Sequence, residues 1–170
     1  MKVRPGAMLL LLALPATASA QAVAALNPLY QSIKGYVTKS AEQMPEANYA
    51  FKPVPTVRSF GQLVGHVASS SFAICATAKG EANPDTKDYE KVTEKAALVT
   101  ALKAAFTYCD TAFTWPDSRF TDTAELFGMK MSRLGWLMLE VTHDNEHYGN
   151  MVTYFRLKGM VPPSSAGPGM

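Results

Sequence analysis

The sequence predicts an all-α protein, a four-helix bundle, on three observations. Apolar residues recur at the three-and-four spacing of a helix face in four separate segments. Capping and terminating residues bracket those segments. No stretch shows convincing strand alternation. The 170 residues fit one ordinary domain. Hydrophobic residues at 48% and charged residues at 18% exclude a disordered or acidic-tail protein.

Residues 1–20 read as a signal peptide. Lys2 and Arg4 form a short basic region, Met8 to Leu14 an apolar one, and Ala18-Ser19-Ala20 a small-residue cleavage site before Gln21. The apolar run is far shorter than the ~20 residues of a membrane span, and no later stretch is long enough either. Removal of the leader balances Lys+Arg and Asp+Glu at 14 each. The expectation is an exported protein, periplasmic or secreted, with the bundle over 21–163 and a flexible tail over 164–170.

Asn27-Pro28 reads as the cap and first residue of the first helix, with Leu29, Ile33, Tyr36, Val37 and Ala41 as its stripe and Pro45 as its end. After a loop through Pro53 and Pro55, Ser59-Phe60-Gly61-Gln62 has the form of a capping box. The second helix runs from there to about Lys79, before Gly80. Residues 80–92 are polar, contain Pro84 and form a second loop. Thr93 caps the third helix, whose stripe is Leu98, Leu102, Ala105, Phe106, Cys109 and Phe113. A less regular connection reaches about Met129. The fourth helix then runs to Lys158, where Gly159 supplies the left-handed position and Pro162 blocks continuation. The four helices are expected at about 20–28 residues each.

All three histidines fall on these helices. His143 and His147 stand at i and i+4 on the fourth, so both imidazoles can reach one ion. Their face continues as Trp136, Glu140, Asn150 or Met151, and Tyr154. A second apolar seam of the same helix contains Tyr148 and Phe155, serving the core or a dimer contact. His66 lies on the second helix among Gly61, Gly65 and Ser69, a small-residue stripe open to close approach. If those two helices are neighbours, His66, His143 and His147 make a three-nitrogen site with an open position for water or substrate. Imidazole suits zinc, nickel, copper and iron alike. The competing reading is three core histidines satisfied by carbonyls or carboxylates. The run 143–147 superficially resembles the zincin H-E-x-x-H, but Asp144 stands where that chemistry needs Glu.

The segments 57–68 (VRSFGQLVGHVA), 143–149 (HDNEHYG) and 154–163 (YFRLKGMVPP) resemble the DinB-like (DinB/YfiT) family of metal-dependent four-helix proteins, which is distinct from the DNA polymerase of the same name. The similarity covers roughly Leu26 to Pro163. It implies a left-handed bundle in up-down-down-up order with long crossover loops. It further implies a divalent metal, zinc or nickel, on residues matching His66, His143 and His147. Some relatives transfer low-molecular-weight thiols, a chemistry that the signal peptide weakens because such thiols are kept reduced in the cytosol.

The expected function is a metal-dependent hydrolase or thiol-type transferase acting on a small molecule. Its alternative is a non-catalytic metal-binding or homodimeric interaction module. Glu140, one turn before His143, is the candidate general base or carboxylate partner of that histidine. Asp144 is expected to salt-bridge to a neighbouring helix. Metal affinity should fall as pH drops through ~6.5, where free imidazole protonates. Cys75 lies out of phase with His66. It pairs with Cys109 if the second and third helices touch at those heights, and otherwise both are buried small hydrophobes. No P-loop, dinucleotide fingerprint or basic aromatic stripe occurs, and a net charge of +2 is too small to indicate a nucleic-acid partner.

Overall fold

The structure, a computed structural model, describes residues 21–167. The expected signal peptide, 1–20, lies outside the described residues. Four helices dominate: α1 (Ala22–Gln43), α2 (Phe60–Lys79), α3 (Lys95–Asp110) and α4 (Arg133–Leu157). A hairpin of β1 (Thr123–Leu126) and β2 (Met129–Ser132) precedes α4.

Side-chain contacts fix the helix directions. Lys95, at the start of α3, donates to the carbonyls of Glu42 and Met44 at the end of α1, so these two run antiparallel. Gly61 approaches Leu98, and Cys75 is bonded to Cys109, so α2 and α3 run parallel. Arg133 donates to the Ala78 carbonyl and Tyr154 to that of Arg58, which sets α4 antiparallel to α2. The order is up-down-down-up. Because α2 and α3 are parallel neighbours, residues 80–94 must return along the whole length of α2. Ser69 receives this crossover midway, donating to the Lys87 carbonyl and accepting from the Tyr89 N–H.

Helix α1 starts at Ala22, not at Asn27. The Asp117 carboxylate accepts from the Ala22 and Val23 N–H groups at 2.9 and 3.0 Å, which supplies the cap from far along the chain. Pro28 is tolerated inside the helix because Ala24, whose carbonyl loses its partner, is exposed. Leu29 is 57% exposed, and Tyr30 takes the core position beside it. The Tyr30 ring stacks on Phe113, and its hydroxyl donates to the Phe106 carbonyl.

Helix α2 has the expected bounds. Ser59 accepts from Gln62 N–H, the Gln62 side chain accepts from Ser59 N–H, and Gly80 takes φ 69°. Its small residues admit loop backbone: Gly65 faces the Tyr89 carbonyl, and Gly61 faces that of Tyr49 as well as Leu98 of α3. Helix α3 is shorter than expected at 16 residues, with Glu94 rather than Thr93 at its cap. After Asp110 the chain tightens into a 3-10 turn, Ala112–Thr114, ahead of Pro116.

The hairpin replaces the first turn expected of the fourth helix. Phe127 and Gly128 both adopt positive φ, 52° and 72°, the backbone of a two-residue turn that matches strand twist. Ser132 then caps α4 by accepting from Gly135 N–H. Tyr148 and Phe155 are buried in the core and leave no free dimer surface of their own. The Tyr148 hydroxyl accepts from Ser164 N–H, tying down the start of the segment expected as a tail. The core runs through all four helices, and the Cys75–Cys109 disulfide lies inside it, fully buried. Among the described residues no helix is long and apolar enough to cross a membrane.

Candidate metal centre

His66 stands two turns into α2, where the capping box fixes the helix start, and faces His143 and His147 on α4. His143 Nε2 lies 3.3 Å from His66 Nε2 and 3.0 Å from His147 Nε2. Three ligand nitrogens thus lie within 4.8 Å of one another. A tetrahedral ion with metal–nitrogen bonds of about 2.0–2.1 Å sets its ligand nitrogens about 3.3–3.4 Å apart, close to these spacings. The donor set therefore fits a divalent ion.

The ring nitrogens turned away from the cluster differ in their partners. His66 Nδ1–H donates to Glu90 Oε1 at 2.8 Å. A carboxylate only accepts, so this bond places the His66 hydrogen on Nδ1 and leaves the Nε2 lone pair facing the other two rings. His143 Nδ1 lies 3.5 Å from Asp144 Oδ1, and neither atom has a hydrogen-bond partner. His147 Nδ1 is also buried without one.

Glu140 and Asp144 are both buried, Glu140 to 0% exposure. Glu140 makes no hydrogen bond to an imidazole. Its Oε1 sits 3.5 Å from Cys109 Sγ, which as a disulfide sulfur carries no hydrogen to donate, and its Oε2 has no partner. Burial, and then the charge of Asp144, push the Glu140 carboxyl well above its usual value. Burial does the same to Asp144, which among the described residues forms no ion pair with a neighbouring helix. Asp144, rather than Glu140, is the α4 carboxylate beside His143.

All three imidazoles titrate below their ordinary value, chiefly because burial disfavours the imidazolium. His147 is pushed down to about 3 by burial, then by repulsion from His143 and His66. Neutral imidazoles are the form that binds metal. A groove of about 690 Å³ opens beside His147, between α2, α4 and the loop before α2. Arg58, Gln62, Glu90, Asn150 and Tyr154 line it. Trp136 takes no part, being wholly buried with its Nε1–H donated to the Ala124 carbonyl.

Two of these residues escape sequence reasoning. Glu90 lies in the crossover, and Arg58 precedes α2. Arg58 Nε donates to Glu90 Oε2 at 3.0 Å and its Nη2 to Oε1 at 3.2 Å. Burial opposes the Glu90 charge, but the hydrogen bonds from Arg58 and His66 outweigh it and hold the carboxyl below its usual value. The one available signal was topological. A crossover returning along α2 has to carry some of its polar residues past His66.

The family model described as the DinB family matches residues 25–169. The chain belongs to the DinB family. Among its DinB relatives, the YjoA protein of Bacillus subtilis (strain 168) is 26% identical over 133 residues, spanning 76% of this chain and 86% of YjoA. The crystal structure of a DinB-like protein from Bacillus cereus ATCC 10987 superposes with a TM-score of 0.69 at 20% identity, covering 81% of this chain and 93% of that one. The B. subtilis YjoA structure gives 0.65 at 20% identity, with the same coverage. At that identity the two structures speak for the DinB fold, and the chemistry has to be argued from the side chains.

Proposed function

We propose that this DinB family protein is exported and binds one divalent ion, zinc or nickel, through His66, His143 and His147, and that it acts on a small polar molecule as a hydrolase or transferase. The observation that carries the reading is the convergence of three Nε2 atoms, 3.0 and 3.3 Å apart, at the side of an open groove. When bound, the ion supplies a Lewis acid with a coordination position left open to substrate.

The chain's own residues would do the rest. The paired ligands on α4 are rigid relative to each other, and His66 closes the set from α2. The groove offers Gln62 and Asn150 as amide donors and acceptors, and Tyr154 as one wall. Tyr154 donates its hydroxyl to the Arg58 carbonyl, which anchors the loop on that side. The buried disulfide supports an oxidising compartment and weighs against a reduced thiol as co-substrate.

Elemental analysis of the purified protein and its His→Ala variants tests the reading. The expected result is about one divalent ion per chain in the wild type, with affinity lost by orders of magnitude in His143→Ala or His147→Ala. A triple variant lacking His66, His143 and His147 that kept full metal occupancy would refute the assignment. A triple variant that lost its helices as well would make the metal structural.

A further inference from the structure

We propose that Glu90 is the positioning residue of His66, and that the 80–94 crossover is a working part of the metal site rather than a mere connection. The proposal rests on the three-histidine reading above and extends it to a residue outside the four helices.

Three independent observations converge on this carboxylate. Its Oε1 accepts from His66 Nδ1–H at 2.8 Å, so one ring orientation and one tautomer are held, with Nε2 left as the ligand atom. The carboxylate is itself held, because Arg58 grips both its oxygens at 3.0 and 3.2 Å. The backbone that carries it is pinned to α2 by the two hydrogen bonds of Ser69, and its local turn is held by Asp88, which accepts from Glu90 N–H at 3.2 Å.

Gly65 makes that docking sterically available. A Cβ built there would stand 2.3 Å from the Tyr89 carbonyl oxygen and 2.9 Å from Glu90 N. The hydrogen side chain next to the first metal ligand in sequence is thus what lets the crossover lie close enough for Glu90 to reach it. Without Glu90 the neutral His66 ring has two tautomers and two ring orientations, and only some combinations present a lone pair to the other imidazoles.

The test uses the whole chain in its metal-free and zinc-loaded forms, with Glu90→Ala, Glu90→Gln and Gly65→Ala. Ring-nitrogen NMR reads the tautomers directly, and three histidines make three assignable rings. In the metal-free wild type His66 should carry its hydrogen on Nδ1. Glu90→Ala should mix the tautomers and weaken zinc binding, measured by chelator competition, ~10–100-fold. Glu90→Gln keeps an accepting oxygen and should recover most of both. Gly65→Ala should behave like Glu90→Ala, because it lifts the crossover. Glu90 is partly exposed, so Glu90→Ala should keep its helicity and remain interpretable even where Gly65→Ala folds poorly. An unchanged His66 tautomer and unchanged zinc affinity in Glu90→Ala would overturn the proposal. If instead the wild type bound neither zinc nor nickel, the metal reading would fail by itself, and the metal-free tautomer measurement would still decide whether Glu90 positions His66.

Discussion

His147 is the imidazole displaced furthest from ordinary titration, and its displacement has a sign that can be used. Its folded value is lowered to about 3, against 6.5 for the free side chain. Below pH 6.5 the unfolded chain takes up a proton that the folded chain refuses, so the metal-free protein loses stability as pH falls through 6.5 towards 3. The same refusal protects metal binding, because protons compete only near the folded values. Zinc affinity should therefore persist below the ~6.5 at which free histidine would begin to lose the ion. Affinity measured by competition from about pH 7.5 to about 4.5 checks this, and a loss centred at 6.5 or above would contradict it. Glu140 runs the other way. Its raised folded value means that the stability it allows is present below the unfolded value of 4.5 and is lost as pH rises towards the folded one. Glu140→Gln cannot ionise, so it should be more stable than wild type near neutral pH, with the advantage shrinking in acid. Urea midpoints at about pH 5 and about pH 8 read this directly, and a variant that is less stable at both would mean Glu140 is ionised and paired in the core.

Helix α2 carries His66, and its start is set by the reciprocal hydrogen bonds of Ser59 and Gln62. Ser59→Ala should cost about 1 kcal/mol and lower the thermal midpoint by about 2–4 °C. It should also weaken metal binding modestly, because a frayed first turn loosens Arg58 and through it Glu90. Calorimetry with and without zinc separates the two effects. This helix was legible in the sequence because its signals are local: a capping box at one end and Gly80 at the other. The start of α1 was not. Asn27-Pro28 has the local form of a helix start, but the functioning cap, Asp117, is brought in by tertiary folding. The β1–β2 hairpin was hidden for another reason. Its strands have four residues each, its turn places Phe127 rather than Asn before Gly128, and Met129 and Met131 extend the apolar pattern of α4 backwards. The site divides in the same way. His143 and His147 follow from a spacing of four on one helix, and their meeting with His66 required only that α2 and α4 be neighbours. Glu90 could not be read, since its place beside His66 depends on how the crossover docks against Gly65.

Helix α2 is tied to each of its two neighbours by a distinct chemical cluster. Helices α2 and α4 meet at the imidazoles, and α2 and α3 meet at the Cys75–Cys109 disulfide. Only the second link is embedded in the apolar core, so the two should fail separately. The cysteines are 34 residues apart, and the loop they close contains the whole crossover. Cross-linking a loop of that length stabilises by about 2–4 kcal/mol, mainly by restricting the unfolded chain. Protein recovered from an oxidising compartment should show no titratable thiol after denaturation. The chain from residue 21 onward, made in a reducing cytosol, should show two, and should unfold at correspondingly lower denaturant. The native geometry of the histidines does not depend on that entropy, so the reduced protein should still bind zinc with affinity within about tenfold of the oxidised form. Denaturant midpoints and chelator competition on both preparations give the two numbers independently. Equal midpoints would mean that the bond contributes no stability. A collapse of zinc affinity on reduction would mean that the disulfide orders the site in the native state.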